Sequence, residues 1–252
     1  MPPFLFDYEP LPPQSYQEEM QRNREGKERR ARGITFLDDT GSAAYYYDLN
    51  TRHPLTARVK RALDVVMATA IITVLTPLFL LLILLVRLSG PGPIVFRQRR
   101  IGFRGHQFEM YKFRTMFDGA HLKEKELASQ TGSSFLKIKN DPRITPVGRF
   151  LRKYSLDELP QLFNVLEGTM SMVGPRPLLV SDLDKLPRRS PLRRFAMPPG
   201  ITGLWQVAGR SDCSETERLK FDRLYFDRWS LAFDFEILLR TFKVVVTGRG
   251  AV

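Results

Sequence analysis

The sequence predicts an α/β (α+β) protein that is mostly helical and carries one small β-hairpin. The chain contains no charged residue from Val65 to Val86, and this run is long enough to form a membrane helix. Two alternating segments flank a turn from Gly102 to Gly105, which is typical of a β-hairpin. Residues 215–229 and 231–246 have the apolar spacing of helices. The second of these is amphipathic and belongs either to the core or to a membrane interface.

Composition divides the 252 residues into three parts. Residues 1–57 are polar and densely charged, so we expect a partly disordered arm that buries little apolar surface. Residues 58–89 contain the membrane helix. Residues 90–252 contain the remaining elements and are expected to form one membrane-associated domain.

The charge of the chain points to an anionic partner. The formal net charge is +12 and the isoelectric point is about 10.0, which suits nucleic acid, an anionic membrane face or a phosphorylated substrate.

The single cysteine excludes an internal disulfide. The three histidines are scattered and give no zinc-ligand spacing. The chain has no P-loop, no dinucleotide-binding glycine motif and no G-x-S-x-G motif.

The apolar run has a proline at its centre. As a helix the run is about 33 Å long, enough to cross a bilayer. Pro77, which follows Thr76, cannot donate to the carbonyl of Thr73 and favours a kink or break. We expect the hydroxyls of Thr73 and Thr76 to satisfy the freed carbonyls. Basic residues flank both ends, without the asymmetry of a single crossing. The residues leave open a spanning helix and a re-entrant helix that leaves by the face it entered.

Two adjacent carboxylates, Asp157 and Glu158, precede a helix predicted from Pro160 to Leu166. This helix has two candidate starts. Ser155 and Glu158 can form a capping box, or Pro160 can be the first helical residue. Either start puts Asp157 near the positive end of a helix, which stabilises a carboxylate and attracts phosphate.

Arginines flank the carboxylate pair on stiff segments. Residues 141–148 are expected to be extended because they contain two prolines, and they lead to Arg149 and Arg152. Downstream, Arg176 lies between two prolines that restrict its backbone. The carboxylates can be simple helix caps, but their arginine neighbours favour phosphate chemistry with a metal.

These motifs resemble the bacterial sugar transferase family, the monotopic polyprenol-phosphate sugar-1-phosphate transferases. The resemblance covers about residues 60–250. Seven blocks occur in order: Lys60–Asp64, the apolar helix with Pro77, Phe96–Gly102, Lys112–Met116, Ser155–Gln161, Gly174–Pro177 and Pro199–Gly203.

The resemblance implies the transfer of a sugar-1-phosphate from a UDP-sugar to undecaprenyl phosphate, with release of UMP. Asp157 matches the nucleophile of the family, and Glu158 matches the acid that binds Mg²⁺. The product begins an exopolysaccharide, capsule or O-antigen unit. Candidates for binding the substrate phosphates are Lys112, Arg114, Arg149, Arg152 and Arg176.

The resemblance also implies where the protein acts. It favours the re-entrant helix, with residues 90–252 as a catalytic domain on the cytoplasmic face of the bacterial inner membrane. The expected partners are the UDP-sugar, undecaprenyl phosphate and membrane lipid, and no nucleic acid. The sequence leaves open homo-oligomerisation and the identity of the sugar, with glucose, galactose and a 2-acetamido sugar as the alternatives.

Two rival interpretations remain at this stage. A non-catalytic basic membrane scaffold accounts for the charge and the helix but leaves the carboxylate pair unexplained. An enzyme that joins both substrates in a ternary complex would use Asp157 as a base. Release of UMP tests the first interpretation, and a phosphorylated aspartate tests the second.

Overall fold

A computed structural model describes residues 53–120, 141–179, 192–208 and 215–247. The helices are α1 Pro54–Leu88, α2 Pro146–Lys153, α3 Gln161–Glu167, α4 Leu204–Ala208, α5 Glu215–Arg228 and α6 Leu231–Thr247. The strands are β1 Val95–Ile101, β2 Gln107–Phe113, β3 Ser171–Val173, β4 Leu178–Leu179 and β5 Gly200–Thr202. Short 3₁₀ turns cover Phe103–Gly105, Leu156–Glu158 and Leu192–Ala196. The structure is mostly helical, as predicted, and the arm before residue 53 lies outside the described residues.

Helix α1 has 35 residues and begins at Pro54, four residues before the predicted boundary. It is long and apolar enough to cross a membrane, judged by length and composition. Only 17% of its most apolar 18-residue stretch is buried within the protein. A core helix of similar length would be mostly buried, so α1 is compatible with membrane anchoring.

The helix continues through Pro77, and the predicted break does not interrupt it. The hydroxyl of Thr76 donates to the carbonyl of Ile72 at 2.8 Å, and that of Thr73 donates to Thr69 at 2.9 Å. The prediction that these hydroxyls satisfy the carbonyl freed by Pro77 is therefore wrong. Each hydroxyl reaches the carbonyl four residues before its own, which is the usual geometry of threonine inside a helix.

The predicted hairpin is confirmed. Strands β1 and β2 pair antiparallel, with Val95 opposite Phe113 and Ile101 opposite Gln107. The short strand β4 joins the other edge of β1 to give the order β2-β1-β4. Because β4 follows residues 174–177, this pairing brings that arginine-containing segment beside the hairpin.

A second, two-stranded sheet pairs β3 with β5 in parallel, which the sequence analysis did not predict. The strands approach closely where Gly174 faces Gly200. A Cβ atom on Gly200 would lie 2.0 Å from the backbone nitrogen of Gly174, so a side chain cannot fit there. This contact fixes the start of the segment that carries Arg176.

A buried polar cluster joins α1 to the domain. Lys60 Nζ lies 2.6 Å from Asp234 Oδ2 on α6 and 3.1 Å from the carbonyl oxygen of Val173. The hydroxyl of Tyr225 donates to Asp234 Oδ1 at 2.6 Å, and the backbone N–H of Met172 donates to Asp64 at 3.1 Å. Lys60, Asp64, Asp234 and Tyr225 are all buried. We call these four residues the anchor cluster.

Helix α2 was not predicted. Residues 141–148 were expected to be extended, but the chain is helical from Pro146 onward. The side chain of Thr145 accepts a hydrogen bond from the backbone N–H of Gly148 at 2.8 Å, and Pro146 occupies the first turn. Threonine as an N-cap followed by proline is a favourable helix start.

The predictions for α3, α5 and α6 are confirmed within one residue at each end.

Candidate active site

The carboxylate pair lies on the 3₁₀ turn that leads into α3. Ser155 adopts a left-handed conformation with φ 55° and makes no capping hydrogen bond. The predicted capping box is therefore wrong, because a capping residue needs an extended backbone. Pro160 immediately precedes the first residue of α3, which is close to the other predicted start. Both carboxylates thus lie just before a helix, but in a separate turn.

Glu158 is held by cations from two other segments. Lys112 Nζ on β2 lies 2.8 Å from Glu158 Oε1, and Arg176 Nη1 lies 3.7 Å from the same oxygen. Burial acts to raise the pKa of Glu158, but Lys112, Arg176 and Arg100 together lower it to about 2. Glu158 is therefore ionised at every physiological pH.

Asp157 behaves differently from its neighbour. Its side chain is buried, and burial raises the pKa of its carboxyl above the usual value. Lys112 and Arg152 act to lower this pKa, while the negative charge of Glu158 raises it further. Adjacent acids whose pKa values are pushed in opposite directions are typical of catalytic sites.

Arg152 on α2 is the third predicted cation that reaches the pair. Its Nε donates to Thr115 Oγ1 at 2.9 Å, and its charge interacts with Asp157. Partial burial lowers the pKa of Arg152, and Asp157 is the largest influence that raises it. The structure thus brings together Asp157, Glu158, Lys112, Arg152 and Arg176.

Two predicted phosphate ligands lie elsewhere. The buried guanidinium of Arg114 donates to the carbonyls of Val86, Gly90 and Pro91 at 3.0, 2.7 and 2.6 Å, at the C-terminal end of α1. It stabilises that helix end instead of facing the carboxylates. Arg149 is exposed on α2, and no contact within the described residues directs it to the pair.

Arg100 is a site residue that was not singled out from the sequence. Its guanidinium donates to Gln98 at 2.7 Å and to the carbonyl of Pro177 at 3.3 Å, and its charge lowers the pKa of Glu158. Trp205 was also missed: its ring centroid lies 5.9 Å from Arg176 Cζ. Both residues reach the site through contacts between segments distant in sequence.

The carboxylate pair offers oxygen ligands that a magnesium ion could use together with water. Within the described residues there is no group of three or more histidine, cysteine or acidic side chains that could enclose a metal. Mg²⁺ does not need such a cage, because one or two carboxylates with substrate phosphates and water suffice. A Mg²⁺ ion on Glu158 would share this carboxylate with Lys112.

Comparisons with known proteins show the family of this chain. The model of the family described as bacterial sugar transferase matches residues 55–248. Exopolysaccharide production protein ExoY of Rhizobium meliloti is 41% identical over 204 residues, which cover 79% of this chain and 90% of that protein. Undecaprenyl-phosphate galactose phosphotransferase of Salmonella typhimurium is 44% identical over 199 residues, 77% of this chain and 41% of that protein. UDP-glucose:undecaprenyl-phosphate glucose-1-phosphate transferase of Escherichia coli is 40% identical over 190 residues, 73% of this chain and 39% of that protein.

Proposed function

Because this chain belongs to the bacterial sugar transferase family, we propose that it transfers a sugar-1-phosphate from a UDP-sugar to undecaprenyl phosphate. The products are UMP and an undecaprenyl-diphosphate-linked sugar, the first membrane-bound unit of an exopolysaccharide, capsule or O-antigen. The names of the Salmonella and Escherichia relatives support this class of reaction. The observation that carries the proposal is the carboxylate pair among cations from three different segments.

In the first half-reaction, Asp157 acts as the nucleophile. A carboxylate oxygen of Asp157 attacks the β-phosphorus of the UDP-sugar, and a new oxygen–phosphorus bond forms. The bond between this phosphorus and the oxygen bridging to the α-phosphorus breaks, and UMP leaves with the electron pair. The product is a sugar-phosphoryl aspartate. Asp157 must be ionised for this attack, so its raised pKa sets the acidic limit of activity.

In the second half-reaction, undecaprenyl phosphate replaces Asp157. An oxygen of the lipid phosphate attacks the same phosphorus, and the bond to Asp157 breaks with the electron pair returning to the carboxylate. Lys112, Arg152 and Arg176 stabilise negative charge on the phosphoryl oxygens in both steps, as positioned cations do in phosphoryl transfer. Their positions beside Asp157 and Glu158 support this role.

We assign the magnesium ligand to Glu158. A carboxylate with a pKa of about 2 is always charged and suits a hard divalent cation. When bound, Mg²⁺ neutralises part of the negative charge of the diphosphate.

The protein works at the cytoplasmic face of the inner membrane, with α1 as a re-entrant anchor. Arg61 on α1 donates to the carbonyls of Val165 and Leu166, and Phe79 contacts Phe163, with ring centroids 6.0 Å apart. Both sides of Pro77 therefore reach the same seven-residue helix, α3. An ideal straight helix separates residues 61 and 79 by about 27 Å. A bend at Pro77 shortens this separation, and the two contacts support such a bend.

Helix α6 supplies a second membrane contact. Phe235, Leu239 and Phe242 form an exposed stripe at helical spacing, and their side chains are 61%, 57% and 72% exposed. An apolar stripe bordered by charged residues suits a helix that lies in the headgroup region. The sequence left open whether this helix belongs to the core or to a membrane interface, and the exposed stripe supports the interface.

Detection of the covalent intermediate tests the proposed reaction. The wild-type protein is incubated with a UDP-sugar and Mg²⁺ but without lipid, and the peptide containing Asp157 is examined by mass spectrometry. We expect a sugar-phosphate adduct on this peptide and UMP release at one equivalent per enzyme. UMP release that requires undecaprenyl phosphate, with no adduct, would instead favour the ternary-complex mechanism. A panel of UDP-sugars with undecaprenyl phosphate then identifies the sugar.

Single-cysteine labelling tests the re-entrant anchor. Leu55 and Leu88 lie at the two ends of α1 and are 75% and 73% exposed. Leu55→Cys and Leu88→Cys are each made in a Cys213→Ser background. We expect a membrane-impermeant maleimide to label both sites only from the cytoplasmic side. Labelling of either site from the periplasm would show that α1 crosses the membrane.

A further inference from the structure

Trp205 contacts an arginine of the site. The guanidinium carbon of Arg176 lies 5.9 Å from the centre of the Trp205 ring, and Nη1 of the same arginine lies 3.7 Å from Glu158 Oε1. The guanidinium carbon of Arg218 on α5 lies 4.9 Å from the same ring. Cations within about 6 Å of an aromatic centre are attracted to it. Trp205 therefore links Arg176 to helix α5.

The backbone of Arg176 is linked to the same helix. Arg194 Nη2 donates to the carbonyl oxygen of Arg176 at 3.0 Å and lies 3.0 Å from Asp222 Oδ2 on α5. The side chains of Arg194 and Asp222 are both buried. Burial raises the pKa of Asp222 to about 6, although Arg194 and Arg218 act to lower it. At pH 8 Asp222 is therefore ionised and pairs with Arg194.

The side chain of Arg176 needs support beyond its ion pair. It is 36% exposed, and its distance to Glu158 is that of a loose ion pair rather than a hydrogen bond. An unsupported arginine side chain has many rotamers, and ordering it on substrate binding costs free energy. An aromatic face restricts a planar guanidinium without using its N–H donors, which stay available for phosphate oxygens.

We infer that Trp205 is a positioning residue, which holds the guanidinium of Arg176 ready to bind the diphosphate of the nucleotide sugar. Arg194 and Asp222 complete the arrangement by holding the main chain of Arg176. The inference rests on the proposed function, since it assigns Arg176 to the diphosphate. It gives α5 a role in substrate binding although no residue of α5 is assigned to the substrate.

A double-mutant cycle tests the inference. Trp205→Leu, Arg176→Ala and the double variant are compared by UMP release with a UDP-sugar and undecaprenyl phosphate at pH 8. We expect Trp205→Leu to lower kcat/KM about tenfold, mainly through KM for the UDP-sugar. Because Trp205 acts through Arg176, adding Trp205→Leu to Arg176→Ala should cause no further loss. Trp205→Phe keeps an aromatic face and should restore most of the activity.

Two outcomes of the cycle would overturn the inference. One is that the two losses multiply in the double variant, as expected for independent residues. The other is that Trp205→Leu and Trp205→Phe are equally impaired. Unfolding midpoints of all variants are measured alongside, so that kcat/KM is expressed per folded molecule.

A fluorescence measurement keeps the test independent of activity. Trp205 and Trp229 are the two tryptophans of the chain, so Trp229→Phe leaves Trp205 as the single emitter. Arg176→Ala should increase acrylamide quenching of Trp205, whereas Arg149→Ala, an exposed arginine on α2, should not. Unchanged quenching in Arg176→Ala overturns the inference. If quenching increases but the protein converts no UDP-sugar, the contact between Trp205 and Arg176 is supported and the proposed reaction is wrong.

Discussion

The anchor cluster and the active site are both built from acids and bases, but their charge balance differs. The anchor cluster places one cation, Lys60, between the carboxylates of Asp64 and Asp234, and all three are buried. The active site surrounds two carboxylates with four cations, Lys112, Arg100, Arg152 and Arg176. Its Lys112 and Glu158 side chains are 17% and 22% exposed.

This difference separates a structural cluster from a binding site. In the anchor cluster, Lys60 is matched by carboxylates and by the carbonyl of Val173, so it offers nothing to a ligand. In the active site the cations exceed the carboxylates by two, which suits the charge of a diphosphate. Both regions contain ion pairs, so ion pairs alone do not identify a binding site. The candidate site differs in its partly exposed side chains and its excess of positive charge.

The largest expected effects come from matched Asp→Asn changes in the two regions. Asp157→Asn removes the proposed nucleophile with little change of shape, so turnover per folded molecule should fall at least about a thousandfold. Asp234→Asn leaves Lys60 poorly paired and should cost about 3–5 kcal/mol of stability. Its turnover per folded molecule should stay near the wild-type value. UMP release and urea unfolding measure the two effects.

If Asp157 only stabilised the start of α3, Asp157→Asn would affect stability and not turnover. Asp157→Asn would then lower the free energy of unfolding by about 0.5–2 kcal/mol and leave turnover intact. An Asp157→Asn protein that folds and turns over near the wild-type rate would remove the distinction between the two regions.

Glu158→Gln should have the next largest effect. The change removes the anionic metal ligand that we proposed, and we expect turnover to fall about a hundredfold. Raising the Mg²⁺ concentration should restore part of the activity of Glu158→Gln and none of that of Asp157→Asn. Equal responses of the two variants to Mg²⁺ would contradict the separate roles.

Lys112→Met should shift the pH dependence of activity. In the proposed reaction Asp157 must be deprotonated, so activity should be lost as pH falls through its pKa. Lys112 is the strongest influence that lowers this raised pKa. Without Lys112, the acid limb of the pH profile of kcat/KM should move to higher pH. A limb that stays in place would show that Asp157 does not control it.

Arg114→Gln and Arg149→Gln should have the smallest effects on turnover. Arg114 stabilises the end of α1 through three carbonyls, so its loss should lower the unfolding midpoint. Arg149 is exposed, so Arg149→Gln should leave the midpoint unchanged and alter kcat/KM by no more than about twofold. A much larger loss of kcat/KM in Arg149→Gln would place Arg149 among the phosphate ligands.

The sequence predicted best where a signal is local. Helix α3 was predicted within one residue at each end, and it stops at Gly168, which adopts φ 87°. The hairpin was predicted from alternation and its turn. Helix α2 was missed although Thr145 and Pro146 form a normal start, because the prolines of that stretch were interpreted as extended backbone.

The sequence predicted less where side-chain direction decides. Lys112 and Arg114 are two residues apart and would share one face of a continuing strand, but β2 ends at Phe113. Arg114 therefore turns to α1 while Lys112 reaches Glu158. Arg100 and Trp205 are defined by contacts with distant segments, which no local pattern encodes.

The position of Arg114 has a mechanical consequence. The end of α1 is tied to Arg114, and Lys112, which is paired with Glu158, lies only two residues earlier on the same backbone. If α1 is embedded in lipid as proposed, a bilayer of different thickness would change its tilt. Arg114 would then transmit this change to the end of β2 and so to the charge balance of the two carboxylates.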